Sequence, residues 1–366
     1  MAHHYTGLEV VGQGTYGVVY KATSKIDGRE VAIKTIKMDK RAHAGVSASA
    51  IDEIRMLQEL HHPNIVTLYE VFAQDEGTLS LVFDYLPTDL EMMINARDPG
   101  KEPYVALPSG DTKAYLKMLL SGVRACHENY MVHRDLKPGN LLIGTDGVLK
   151  ICDFGLARTY GSPEAKYSPQ AITIWYRPME LLLGAELYGP AADMCDLDQV
   201  QKIVQCMGAP NETKWPGYTH LKKKFTFRQD VQATPLIKVI PAANKNAIDL
   251  LEKLLSYDPN IRLTAAEALE HPYITEEPKA TPLQDIAERV HEYTEKRAAQ
   301  KALKKASQPE VKVEVKVEVE VVKVEVKVEE EGDGAPGDVE NGAVSGAGGG
   351  AGKRKASEAG IDGSAR

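Results

Sequence analysis

Eight consecutive residues, His133-Arg134-Asp135-Leu136-Lys137-Pro138-Gly139-Asn140, set an acid, two cations and an amide close together in the chain. Thirteen residues further on, Asp153-Phe154-Gly155 adds a second acid. Phosphoryl transfer calls for these groups. A carboxylate must orient the attacking hydroxyl and take its proton, and Asp135 can do so. A cation must spread the charge of the moving group, and Lys137 can face it. Hard oxygens must hold a divalent metal, and Asn140 and Asp153 can offer them. Either motif could serve structure alone, but both in this order point to chemistry on a phosphate.

Two weaker signals lie upstream. Gly12-Gln13-Gly14-Thr15-Tyr16-Gly17 has the G-x-G-x-x-G spacing, which dinucleotide-binding folds share and which an ordinary hairpin can also show. Val18, Val19 and Tyr20 continue as a strand rather than a helix, which fits a lid over phosphates. Val31-Ala32-Ile33-Lys34 ends an apolar run on a lysine, which is commonly a surface charge. It gains meaning from Glu53, in the one helical pattern of the first 86 residues, because a lysine that grips phosphates needs an acid to aim it.

The elements that must position these groups fall into two units. Residues 5–86 read as strands at 8–11, 18–21, 31–37, 65–72 and 79–84, with a helix over 47–60 whose Glu53, Met56, Leu57 and Leu60 share a face. Residues 87–275 read as mostly helical. Leu116, Leu119, Leu120 and Val123 form one stripe, with Asp111 or Thr112 as its N-cap. Val200, Ile203, Val204 and Met207 form a second, and Ile248, Leu251, Leu254 and Leu255 a third; Thr264 opens a fourth helix. A cleft between the two units is where a ligand is expected. Residues 276–306 read as a charged, helical extension. Residues 307–366 form a low-complexity tail in which 310–331 carries eight Glu and four Lys between valines, and disorder is expected there. Lys353-Arg354-Lys355 within it has the look of a nuclear-import signal.

Composition narrows the field. The 366 residues carry a net charge of −8, so no general footprint for nucleic acid exists. No apolar run approaches the roughly 20 residues of a membrane helix, and no secretory leader is visible. Cys126, Cys152, Cys195 and Cys206 are scattered, which argues against zinc or disulfides and for reduced thiols.

Over about residues 5–280 the chain resembles a eukaryotic protein kinase, and within that group a cyclin-dependent kinase. Lys137 is the serine/threonine form of the catalytic loop. Ser49-Ala50-Ile51-Asp52-Glu53-Ile54 resembles the family's cyclin-binding helix, and 161–177 its activation segment. Residues 11–23, 108–157 and 161–170 look most like the CDK-activating kinases, especially the plant D-type group.

The resemblance implies an α+β, bilobal fold: a β-rich N-lobe over 5–86, a larger helical C-lobe over 87–275, and ATP with Mg²⁺ between them. It assigns the nucleotide to Val11, Gly12, Gly14, Gly17, Val19, Ala32, Lys34, Phe83, Asp84, Leu86 and Leu142. Catalysis falls to Asp135, Lys137, Lys34 and Glu53, and the metal to Asn140 and Asp153. It makes Ser168 the activating phosphosite, docking on Arg134 and Arg158, and Thr15 and Tyr16 inhibitory sites. Cyclin would press the Glu53 helix inward and complete the Lys34–Glu53 pair. Ser/Thr-Pro proteins would be the substrates, among them other cyclin-dependent kinases and the RNA polymerase II tail. An assembly factor and the general transcription machinery would be partners, and nucleus and cytoplasm the location. Membrane and direct nucleic-acid contacts are not expected.

Four departures stand out. Asp52 replaces an arginine of the phosphate-binding cluster and would repel a phosphorylated Ser168. Pro178-Met179-Glu180 replaces Ala-Pro-Glu, with Glu180 still able to meet Arg262. Gly139 occupies a variable position. After Asp193-Met194 the family's central C-lobe helix is missing, and Cys195-Asp196-Leu197-Asp198 runs straight toward the helix at Val200. Stranded apolar side chains would each cost about 2–5 kcal/mol. The competing expectation is therefore a catalytically impaired cyclin-binding protein or a truncated gene product. A mitogen-activated class is disfavoured by the single Ser168.

Overall fold

The computed structural model of the chain describes residues 4–14, 17–37, 48–75, 78–95, 107–161, 178–183, 185, 188–194, 200–220 and 231–307. The expected sites Thr15, Tyr16 and Ser168 and the low-complexity tail lie outside them.

Five strands, β1 (Tyr5–Gly14), β2 (Gly17–Ser24), β3 (Glu30–Lys37), β4 (Leu68–Asp75) and β5 (Thr78–Asp84), form one antiparallel sheet in the order β1-β2-β3-β5-β4. Cross-strand partners share a face. Ile33 pairs with Val82, and both join Tyr5, Ala22 and Val31 in a small core. Ala32 pairs with Phe83 and Lys34 with Leu81, so these four turn to the opposite face. There Leu81 and Phe83 pack in the main core with Met56 and Leu57 of helix α1 (Ala48–Glu59). The period of two that buries Leu81 thus aims Lys34 at the helix that carries Glu53. Gly17 begins β2 where a Cβ would lie 1.6 Å from the Thr35 carbonyl oxygen, so no side chain fits.

The strand expected over 65–72 begins only at Leu68. Val66 donates to the Ile151 carbonyl at 3.0 Å and Ile151 to that of Asn64 at 2.9 Å, and the Ile65 side chain is fully enclosed. These backbone bonds tie residues 64–66 to Ile151 of the second unit rather than to the sheet.

The second unit opens with β6 (Thr88–Asp89), α2 (Leu90–Ile94), α3 (Ser109–Glu128) and β7 (Met131–Val132). Strands β8 (Leu141–Ile143) and β9 (Leu149–Ile151) pair in a sheet of order β6-β8-β9, and β10 (Arg158–Thr159) pairs with β7. Then follow α4 (Met179–Leu182), α5 (Val200–Met207), α6 (Leu236–Val239), α7 (Lys245–Leu254), α8 (Ala265–Leu269), α9 (Pro272–Thr275) and α10 (Leu283–Ser307). None of the described helices is long and apolar enough to cross a membrane. Thr264 caps α8 in a full capping box with Glu267. Neither Asp111 nor Thr112 caps α3, which starts at Pro108 without a side-chain cap. Asp111 instead accepts from Thr281 Oγ1 at 2.6 Å and pairs with Arg289 of α10. Long-range partners won over the local cap.

Between α4 and α5 the described residues hold only a short 3₁₀ turn, Pro190–Met194. The stretch 195–199, where the family's central helix was expected to be missing, lies outside the described residues. Besides the main core, described apolar side chains of this lobe form three smaller clusters. Met179, Leu183, Val204, Trp215, Tyr218 and Tyr257 form one; Leu181 and Ala192 form another; Leu236 and Leu255 form a third with Ile248 and Leu251. Helix α5 seats Val204 against α4 and the Trp215 loop. Apolar exposure appears at Ile237, Val239 and Ile240.

Candidate active site

The two units enclose a cavity of about 280 Å³. Gly17, Val19 and Ala32 come from the sheet, Phe83 and Asp84 from the end of β5, and Leu142 from β8 on the far side. Lys34, Glu53, Asn140 and Asp153 give it a charged end. A larger hollow of about 510 Å³, bordered by His61, His62 and Lys150, contains none of these groups.

Lys34 Nζ lies 2.9 Å from Glu53 Oε1 and 2.9 Å from Asp153 Oδ1. Burial works against a charge on Lys34, but the two carboxylates outweigh it and hold the ammonium above its ordinary pKa. Burial would likewise raise Asp153; Lys34, with help from His133 and Lys137, holds it below the usual carboxylate range. A fixed ammonium between two acids suits a polyanionic ligand arriving at its open side. The pair that cyclin was expected to complete is closed in this structure.

Asp135 is buried beside this end. Its Oδ2 accepts from Lys137 Nζ at 2.8 Å and from Asn140 Nδ2 at 2.8 Å, and its carbonyl accepts from the same Nδ2 at 2.7 Å. With its amide hydrogens so used, Asn140 can turn its oxygen to a cation. His133 Nδ1 accepts from the Asp135 amide at 3.2 Å, so Nε2 carries the proton and donates to the Cys152 carbonyl at 3.0 Å. His133 also meets the Phe154 ring edge-on at 4.8 Å, joining the two motifs.

Of the residues expected at the nucleotide, Val11 and Gly12 stay in β1 and Leu86 packs into the main core; none of the three lines the cavity. Gly14 ends β1 opposite Gly17. Leu57, Val66 and Cys152 line it unforeseen, since nothing in their local sequence marks them. The donor set of Asn140 and Asp153, both oxygen ligands, fits a hard cation such as Mg²⁺, which keeps few protein ligands.

Residues 5–274 match the protein kinase domain family. Cyclin-dependent kinase 7 of Dictyostelium discoideum is 43% identical over 300 residues, covering 76% of this chain and 81% of that protein. The chain belongs to the cyclin-dependent kinases. Cyclin-dependent kinase D-1 of Oryza sativa subsp. japonica is 41% identical, covering 77% of this chain and 69% of that one. In structure the kinase resembles a chain of the CAK complex from Chaetomium thermophilum bound to ATP-gamma-S, with a TM-score of 0.70 and 36% identity over 78% of this chain and 95% of that chain. The bilobal kinase fold and the likeness to the CDK-activating group are thereby established.

The kinase's catalytic loop hangs on a residue that sequence reasoning passed over. Asp193 accepts from the His133 amide at 2.8 Å, the Arg134 amide at 2.8 Å and His127 Nε2 at 2.9 Å. Those bonds hold Arg134 at φ 68°, a left-handed conformation costing about 1–3 kcal/mol. Burial would raise the Asp193 carboxyl, but His127, His133 and the Arg134 amide outweigh it and depress the pKa. A depressed acid stabilises the fold fully above its unfolded value of about 3.9 and stops doing so as pH falls through the lower folded value. Urea unfolding from about pH 6 to about pH 3 should therefore show stability falling with acid. Asp193→Asn should be less stable at neutral pH and fall less steeply, and parallel slopes would refute the assignment.

The two arginines assigned to a phosphate have other partners. Arg134 donates to the Leu156 carbonyl at 2.6 Å and to Tyr188 Oη at 2.8 Å. Arg158 lies 3.9 Å from Asp52, so the acid that replaces the family's arginine meets one of the cluster's cations. Glu180 does meet Arg262, through two bonds of 2.8 and 3.0 Å.

Proposed function

We propose that the kinase, with a cyclin bound, transfers the γ-phosphate of ATP to serine or threonine followed by proline. The closed Lys34–Glu53–Asp153 set beside Asp135 carries this reading. Val19, Ala32, Phe83 and Leu142 would enclose the adenine, and Lys34 would meet the phosphates. Asn140 and Asp153 would hold Mg²⁺, which screens the phosphate charges when bound. Asp135 would orient the hydroxyl and accept its proton, with Lys137 beside it to meet the transferred group. Other cyclin-dependent kinases and the RNA polymerase II tail are the proposed substrates, in cell-cycle and transcription control in the nucleus and cytoplasm. An assembly factor and the general transcription machinery are the proposed companions. Ser168 is the proposed activating site, weakened by Asp52, and Thr15 and Tyr16 the proposed inhibitory ones.

The three smaller apolar clusters that stand apart from the main core in the large lobe favour a second reading, a cyclin-binding protein with impaired catalysis. Radiolabelled phosphate transfer to a Ser-Pro peptide, with cyclin and Mg·ATP, separates the two. Incorporation well above the Asp135→Asn control is expected. Equal silence of both while cyclin still co-purifies would transfer the case to the second reading.

A further inference from the structure

The hinge side of the nucleotide cavity is fixed from behind by one carboxylate. Asp84, the last residue of β5, accepts from Lys150 Nζ at 2.7 Å and from the Thr67 amide at 2.9 Å through Oδ2. Its Oδ1 accepts from Tyr69 Oη at 2.5 Å, and the Arg29 guanidinium lies over the Tyr69 ring at 4.7 Å. The Asp84 side chain is 16% exposed and that of Lys150 20%. Tyr69 and Asp84 belong to the small-lobe sheet, whereas Lys150 lies in β9 of the large lobe.

The register shows what this bond ties together. Lys150 is the cross-strand partner of Leu142, which lines the cavity from the large lobe. Asp84 is the partner of Val31 and follows Phe83, whose partner Ala32 lines the cavity from the small lobe. The Asp84–Lys150 pair therefore spans the slot between the two walls. We infer that Lys150 is a positioning residue for nucleotide binding, setting the separation of Ala32 and Leu142 through its bond to Asp84. Burial alone would raise the Asp84 carboxyl; Lys150, Tyr69 and the Thr67 amide outweigh it and keep it ionised. A charge-assisted bond of this length is stronger than a neutral hydrogen bond and so resists opening of the slot. The inference rests on the reading of the cavity as an ATP site.

Calorimetric titration of the full chain with Mg·ATP, together with KM and kcat from peptide phosphorylation, tests it on wild type, Lys150→Met, Lys150→Arg and Tyr69→Phe. Lys150→Met should raise Kd and KM for ATP about three- to tenfold and leave kcat within about twofold. Lys150→Arg, which keeps the charge, should stay near wild type, and Tyr69→Phe should fall between. Unchanged Kd in Lys150→Met, even with a lowered Tm, would overturn the inference, as would a fall in KM accompanied by a rise in kcat. A wild type that binds no ATP would overturn the nucleotide reading and this inference together, whereas binding wild type with unaltered variants overturns the inference alone.

Discussion

Asp135→Asn should lower kcat by about 10²- to 10⁴-fold, the range that a general base contributes. The substituted amide has the shape of the carboxylate and can still meet Asn140 and Lys137, which crowd the same oxygen at 2.8 Å. It cannot take a proton. Asp135 is not among the residues lining the nucleotide cavity, so affinity for Mg·ATP should hold. Steady-state kinetics with a Ser-Pro peptide, beside calorimetric binding of Mg·ATP, read the two effects separately. A variant that kept its rate within about threefold would show that Asp135 is not the base.

Arg262→Leu should remove about 3–5 kcal/mol of stability, because it leaves the buried Glu180 carboxylate without its cation. Arg262 also donates to the Ala191 carbonyl at 2.7 Å and to the Ser256 carbonyl at 2.9 Å. One side chain thereby ties α4, the 190–194 turn and the end of α7 together. Typical domains have only about 5–15 kcal/mol to lose. Glu180→Gln combined with Arg262→Met should be milder than Arg262→Leu alone, since no unpaired charge stays buried. Urea unfolding of the three proteins decides it, and a loss under about 1 kcal/mol in Arg262→Leu would refute the role.

The catalytic constellation was legible because its parts sit in short contiguous runs whose spacing carries the chemistry. Asp135, Lys137, Asn140 and Asp153 needed no tertiary knowledge, and Lys34 with Glu53 needed only a strand followed by a helix. What escaped was whatever depends on distant segments meeting. Asp193 holds a loop whose two bonded amides lie 60 and 59 residues earlier in the chain. Val66 and Cys152 line the cavity only because the 64–66 stretch pairs with Ile151. Asp111 has the residue type and place of a helix cap, and only the fold reveals Arg289 as its partner.

The kinase family pattern stops at residue 274, but the cooperative body of the molecule does not. Ile286 and Val290 of α10 are as sealed from water as Leu149, and they share its core. The helix presses so closely on the 144–147 turn that a Cβ on Gly147, itself at φ 78°, would come within 2.9 Å of the Ala287 nitrogen. Tyr293 then reaches the Met92 carbonyl at 3.2 Å, beside the catalytic lobe's first helix. Shortening the polypeptide to the recognised signature would bare apolar surface beside the 144–147 turn and rob Asp111 of its counter-ion. The packed body of the molecule is thus longer than its own family emblem.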